Sequence, residues 1–197
     1  MAKIHWLGTG LSAIPGLKKL IEKGNSVIVY NRTVETATQA LLEIEGDYQI
    51  VPFSLKAIEK NAKAGDIVVS MLPGNFHVPV AELSLSLGAH FVSSSYISDE
   101  MRSLNNSAIE KSLCLVNEVG LDPGIDHSMS HALVEDYKNS SVFSAENQHS
   151  FLSYCGGLSD IQNDFCYKFS WSPLGVLKAL MSTSVSIRDT QIYTVTK

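Results

Sequence analysis

Five short apolar runs constrain this chain more than anything else in it: "KIHWLG" at 3–8, "SVIVYN" at 26–31, "DIVVSML" at 66–72, "HFVSSS" at 90–95 and "LCLVNEV" at 113–119. They lack the in/out alternation of a half-solvated strand, and stretches with helical periodicity separate them at 13–23, 33–45 and 75–88. A further helix rich in Glu, Arg and Asn lies between the last two runs. Strands of this kind must be covered on both faces, and strands joined through helices run parallel. Fainter patterns at 48–53 and 54–62 add another strand and helix. The prediction is an α/β domain, a doubly wound parallel sheet, over residues 1–120.

Beyond residue 120 the pattern changes. A helix is predicted from near His127 to Asn139, a longer strand over "NQHSFLSYCGG" (147–157), an apolar piece at "FCYKFSW" (165–171), a helix in "SPLGVLKALMS" and a final strand in "TQIYTVTK". Residues 121–197 read as the start of a second, α+β domain for substrate binding or dimerisation. With 197 residues and 45% apolar content, one core and part of another can be buried.

The net charge of −5, with no basic run, argues against nucleic acid or an anionic membrane as partner. No apolar stretch is long enough to span a bilayer, and "MAKIHWLG" enters a strand at once, leaving no room for a signal peptide. Cys114, Cys155 and Cys166 are odd in number, dispersed and outside any CxxC spacing. That pattern fits a reducing cytoplasm and offers neither a disulfide framework nor a metal site.

Directly after the first strand stands "GTGLSAIPG", with Gly8, Gly10 and Ala13 in a GxGxxA arrangement. Gly8 allows a tight turn, Gly10 a close approach of pyrophosphate to the backbone, and Ala13 close helix–strand packing. Leu11 and Ser12 complete a cradle at the positive end of the helix, as in a Rossmann-type domain. An ordinary glycine-rich turn has the same composition. At the end of the second strand, where an NAD domain carries Asp or Glu, stand Asn31, Arg32 and Thr33. A neutral Asn and a planar Arg fork favour a 2′-phosphate, hence NADP(H); alternatively Asn31 and Thr33 only cap the next helix and Arg32 is solvated. In "MLPGNFH" (71–77), Leu72 and Pro73 border the nicotinamide side, or simply break the strand, and His77 is expected to face solvent.

Two further segments leave the carboxyl ends of strands: "SSSYISDE" (93–100) and "NEVGLDPGIDH" (117–127). Read alone, Asp122 before proline is a turn starter and Asp126 the N-cap of the helix at His127. Tyr96 is then an amphipathic residue at a sheet edge, Cys155 in "SYCGG" a small buried hydrophobe, and Glu118 a strand residue among apolar neighbours.

Together with "SYCGG" and "YKFSWSPLGVL" (167–177), these motifs resemble the saccharopine dehydrogenase family, in its NADP-dependent, L-glutamate-forming type, over nearly the whole chain. The resemblance implies reversible condensation of glutamate with 2-aminoadipate 6-semialdehyde and reduction of the imine by NADPH. It also implies Asp122 as proton shuttle, with a partly desolvated carboxylate, Tyr96 as the group that holds or polarises the carbonyl or imine, and Cys155 beside the substrate. It implies small amino-acid substrates and, by analogy, a homodimer. Members of the family are roughly twice this length, so the resemblance puts the substrate-carboxylate arginine outside this chain; Arg102 and Arg188 have no evident claim on substrate. A carboxynorspermidine-type dehydrogenase and a non-catalytic NADP-binding module are the competing readings.

Overall fold

The structure of the chain, a computed structural model, describes residues 2–157, 159–164, 166–169 and 172–195. Apolar and β-branched side chains form the strands β1 (Ile4–Leu7), β2 (Val27–Asn31), β3 (Tyr48–Pro52), β4 (Ile67–Ser70), β5 (His90–Ser93) and β6 (Leu115–Val116). All six are parallel, in the order β3-β2-β1-β4-β5-β6. Between them run α1 (Ile14–Glu22), α2 (Val34–Ala40), α3 (Leu55–Asn61), α4 (His77–Leu87), α5 (Asp99–Ser103) and α6 (Asn105–Glu110). The strand order reverses between β1 and β4, and ligands of such sheets lie in the crevice beyond that point. The predicted doubly wound sheet is present, including β3 and α3, the faintest elements in the sequence.

The two faces of the sheet carry two cores. Trp6, Val27 and Val29 pack with Leu17 and Ile21 of α1 and Ala37 of α2. Leu7, Ile28, Tyr30, Val68 and Phe91 pack on the other face with Ile58 of α3, Val80 and Ala81 of α4 and Met101 of α5. Adjacent strand residues point to opposite faces, so runs that are apolar throughout are what this double burial requires. Burying each Leu, Val or Phe side chain contributes about 1.5–3 kcal/mol.

One polar cluster crosses the core. The His5 Nε2–H donates to Asp66 Oδ2 at 3.1 Å and the Tyr30 hydroxyl to His5 Nδ1 at 2.9 Å in the neutral tautomer that satisfies both. Asp66 also accepts from the backbone N–H groups of Lys3 and Lys63, at 2.8 and 2.9 Å. Burial lowers the His5 pKa and raises that of Tyr30 to about 12. Burial alone would raise Asp66, but the Lys3 N–H, His5 and the Lys63 N–H outweigh it and hold its pKa below the ordinary value. This cluster clamps β1, β2 and the entry to β4.

Differences from the expected elements have local causes. The strand predicted at 113–119 is only two residues long, because Glu118 turns to φ 61°. The helix predicted from His127 is α7 (Ile125–Lys138), beginning two residues earlier. The strand predicted over 147–157 does not form: Phe151, Leu152 and Tyr154 are exposed, and an extended segment becomes a strand only where an edge pairs with it. The "FCYKFSW" piece falls partly on Phe165, Ser170 and Trp171, outside the described residues.

The chain divides into compact units at 1–155 and 156–197. In the second, α8 (Pro173–Leu180) is capped by Ser172 Oγ, which accepts from Gly175 N at 3.1 Å. An antiparallel hairpin follows, β7 (Ser184–Arg188) with β8 (Gln191–Val195). Its turn, Asp189-Thr190, has φ 48° and 65°, the both-positive pattern whose twist suits a tight hairpin. β8 matches the predicted terminal strand; β7 is unforeseen, although Val185 and Ile187 alternate with polar residues. Among the described residues no helix is long and apolar enough to cross a membrane.

Candidate active site

The loop from Gly8 to Ala13 joins β1 to α1 at the crevice. Gly8 has φ 97°, and a Cβ there would meet Met71 O at 3.1 Å, so any side chain is strained and crowded. The Trp6 indole N–H donates to Gly8 O at 2.9 Å and Gly8 N–H to Tyr30 O at 2.8 Å, pinning the turn. Gly10 has open space where a Cβ would stand. Ala13 is buried against the sheet, and its N–H and that of Ile14 both reach Gly10 O. Among the described residues, the N–H groups of Gly10, Leu11 and Ser12 have no protein acceptor, and Leu11 and Ser12 are exposed. The hydroxyl of Thr9 is buried without any partner.

At the end of β2, Asn31 Nδ2 donates to Thr33 O at 2.8 Å, and Thr33 stands before α2 without making a side-chain cap bond. Arg32 is exposed beside them. The capping role left open for Asn31 is thus a link to the Thr33 backbone. Leu72 and Pro73 follow β4 at the same edge, Leu72 half-buried and close to Gly8.

On the far side of the switch point, the structure brings Tyr96 and Asp122 together. The Tyr96 hydroxyl donates to Asp122 Oδ1 at 2.9 Å. This bond, then burial, then the carboxylates of Asp122, Asp126 and Glu118 raise the Tyr96 pKa. The phenol therefore stays protonated and available as a donor. Asp122 is exposed, contrary to the partly desolvated carboxylate expected, because the loop that carries it projects from the sheet and no described residue of the first unit covers it.

The loop beneath is closely wound. Glu118 lies off its strand, its N–H on Ser95 O and its Oε1 accepting from Ile97 N at 3.2 Å, so it braces the Tyr96 segment. Gly124 has φ 144°, and a Cβ there would lie 2.6 Å from Glu118 O and 2.7 Å from Gly120 N. Asp126 is not the N-cap: Gly124 holds that position, and Asp126 sits in the first turn. From there its Oδ1 accepts Gly124 N–H at 2.8 Å and faces His127 Nδ1 at 2.9 Å. The Asp126 carboxylate raises the His127 pKa. Cys155 is exposed in the irregular stretch that closes the first unit.

Sequence reasoning missed His77. Expected at the surface, it is buried at the start of α4, with Nδ1 2.9 Å from Ser70 Oγ and Nε2 2.8 Å from Ser95 Oγ. Burial lowers its pKa. Alongside, Ser93 Oγ donates to Asn117 Oδ1 at 2.8 Å. These pairs tie the ends of β4, β5 and β6 and so set where Tyr96 begins. The only hint in the sequence was the serine run 93–95 at a strand end.

Residues 4–116 match the saccharopine dehydrogenase NADP binding domain, and residues 120–197 the saccharopine dehydrogenase C-terminal domain. The chain belongs to the saccharopine dehydrogenase family. The curated L-glutamate-forming, NADP(+) saccharopine dehydrogenase of Pyricularia oryzae is 34% identical over 96% of this chain and 42% of its own length. That of Saccharomyces cerevisiae is 36% identical over 96% and 43%. The mitochondrial alpha-aminoadipic semialdehyde synthase of Mus musculus is 30% identical over 98% of this chain and 21% of its own length. This chain thus spans about two-fifths of the length of the curated saccharopine dehydrogenases it matches, 42% and 43%. The solved apo saccharopine dehydrogenase (L-Glu forming) of S. cerevisiae superposes with a TM-score of 0.69 at 26% identity, over all of this chain and 44% of that one. A UDP-N-acetylglucosamine 3-dehydrogenase from Acidithiobacillus ferrooxidans shares the fold, with a TM-score of 0.51 at 19% identity over 68% of this chain and 43% of its own.

The cofactor of this family domain is NADP(H), and the loop fits it. Unmade N–H bonds at Gly10, Leu11 and Ser12, open space at Gly10 and the partnerless Thr9 hydroxyl are what a pyrophosphate-binding turn leaves for its ligand. The curated relatives from P. oryzae and S. cerevisiae are named as NADP(+)-dependent dehydrogenases.

Proposed function

We propose that this chain contributes the cofactor half and the proton-transfer edge of an enzyme that reversibly condenses L-glutamate with 2-aminoadipate 6-semialdehyde and reduces the imine to saccharopine. The observation that carries the reading is the Tyr96–Asp122 hydrogen bond, at the carboxyl edge of an NADP-binding sheet. In this reading Gly8, Gly10, Leu11, Ser12 and Ala13 hold the pyrophosphate, Asn31, Arg32 and Thr33 the 2′-phosphorylated ribose, and Leu72 and Pro73 line the nicotinamide side. When bound, NADPH supplies the hydride.

The chain's own residues manage protons and geometry. Amine attack on the aldehyde gives a carbinolamine, and its oxygen must be protonated to leave as water. Asp122 is the shuttle that takes a proton from the attacking amine and returns it to that oxygen. Tyr96, held protonated by its carboxylate neighbours, turns its hydroxyl from Asp122 to hold or polarise the carbonyl or imine. Cys155 lies beside the substrate.

The dispersed cysteines support a cytoplasmic setting, although the name of the mouse relative places that protein in mitochondria. A homodimer is supported by the apolar side chains left exposed on the hairpin, among them Val185, Ile187 and Ile192. With only three arginines and a substrate bearing several carboxylates, this polypeptide alone binds NADPH but turns saccharopine over slowly or not at all.

The experiment is NADPH fluorescence titration, followed by NADPH oxidation with glutamate and the semialdehyde. Binding with a preference for NADPH over NADH supports the reading. Absence of NADPH binding, or rapid oxidation with a diamine and aspartate semialdehyde in place of this pair, overturns it.

A further inference from the structure

Beside the carboxyl ends of β5 and β6 the surface opens into a groove of about 430 Å³, lined by Ile97, Met101, Arg102, Asn105, Asn106 and Asn117 among others. We propose that this groove binds the carboxylate of a small acidic molecule, with Arg102 as its charged anchor. It rests on the reading above, in which that molecule is an amino-acid substrate.

The groove offers several free donors and no carboxylate to occupy them. Arg102 joins no ion pair and no side-chain hydrogen bond among the described residues, and the same holds for the amides of Asn105 and Asn106. Asn117 spends its carbonyl on Ser93 Oγ, which leaves its NH₂ as a further donor. No carboxylate stands among the lining residues, so nothing in the groove neutralises the guanidinium. A planar fork flanked by amide donors is the recognition chemistry of a carboxylate, which takes two parallel N–H bonds from arginine. Ile97, Met101 and Leu115 give the groove an apolar floor suited to a short methylene chain.

Its position connects it to the site. Ile97 lines the groove and directly follows Tyr96, and its N–H is held by Glu118. Asn117 directly precedes Glu118 in the segment leading to Asp122. A ligand whose carboxylate sits on Arg102 therefore lies against the two segments that carry the Tyr96–Asp122 pair.

The test uses the chain as it is, followed by NMR of the asparagine side-chain amides. Glutarate, its neutral isostere glutaramide and inorganic phosphate serve as probes. Saturable shifts at Asn105, Asn106 and Asn117 with glutarate, and none with the other two, support the proposal. Arg102→Gln should weaken glutarate binding about tenfold or more, while Arg102→Lys, which keeps the charge and loses the fork, falls between. Absence of saturation with glutarate, equal response to glutaramide or phosphate, or unchanged binding in Arg102→Gln overturns it. NADPH titration run in parallel separates the two readings. If NADPH binds and glutarate does not, the groove alone fails; if NADPH does not bind, the cofactor reading fails irrespective of glutarate.

Discussion

Tyr96 Oη lies 2.9 Å from Asp122 Oδ1, so the end of β5 and the loop after β6, 26 residues apart in sequence, meet through a single proton. That bond is the largest cause of the raised Tyr96 pKa. Asp122→Asn keeps the shape of the acceptor and removes its charge, so the Tyr96 phenol should titrate at lower pH than in the parent chain. NMR of ring-labelled tyrosine, with Tyr96→Phe to assign the signal, measures this. An unmoved titration would show that the bond does not persist in solution.

Gly8 and Gly10 should separate folding from binding. At Gly8, φ 97° and the backbone of Met71 both resist a side chain, so Gly8→Ala should cost about 1–3 kcal/mol of stability. At Gly10 nothing lies within 4 Å of a new Cβ, so Gly10→Ala should leave the denaturation midpoint unchanged and weaken NADPH binding severalfold. Urea unfolding and NADPH titration on the two variants check the pair.

Arg32 should govern which dinucleotide is preferred. It is exposed at the end of β2, beside the Asn31–Thr33 link, with no carboxylate at that strand end. Arg32→Gln should cost NADPH about 1.5–3 kcal/mol of binding, the worth of hydrogen bonds to a charged group, and leave NADH affinity unchanged. Asn31→Asp should likewise disfavour NADPH, through repulsion of the 2′-phosphate. Equal losses for both coenzymes in a competition titration would remove Arg32 from the phosphate site.

Acid should weaken the first unit before its carboxylates titrate. Burial lowers the pKa of His5 and of His77 below the ordinary 6.5, whereas unfolding returns both to that value. Between the two values the unfolded chain binds more protons, so stability rises with pH. It is intact above 6.5 and falls as pH drops below it. Asp66 acts with the same sign in a lower window: its stabilisation is present above 3.8 and lost only beneath that. The urea midpoint should therefore fall between about pH 7 and about pH 5, and His77→Gln should flatten part of that fall. A midpoint constant over this range would refute the assignment.

How much of this could be read from residues alone follows their physics. β1, β2, β4 and β5 were legible because burial on both faces leaves no polar alternation to confuse. The Gly8–Ala13 turn was legible because its glycines are demanded by backbone geometry. β7 was not read, since its short alternation is meaningful only once β8 pairs with it. The segment 147–157 has the composition of a strand but pairs with no strand among the described residues. His77 was misplaced for a related reason: a histidine is buried only if both ring nitrogens find partners, and those partners, Ser70 and Ser95, are separated from it by 7 and 18 residues. Asp126 lies two positions past the N-cap, the role its sequence context suggests, because a glycine at φ 144° can begin a helix without lending it a side chain.

The two serines on His77 carry a consequence of their own. A neutral imidazole has one hydrogen to give, so whichever of Ser70 and Ser95 receives it, the other must turn its hydroxyl toward the ring. The three groups can be hydrogen-bonded with either of two polarities, one for each tautomer of the ring, and exchanging the tautomer flips a dipole at Ser95, the immediate neighbour of Tyr96. The interior of the sheet and the edge at Tyr96 thus share one orientational choice, made by the ring's tautomer and two rotating hydroxyls with no movement of the backbone.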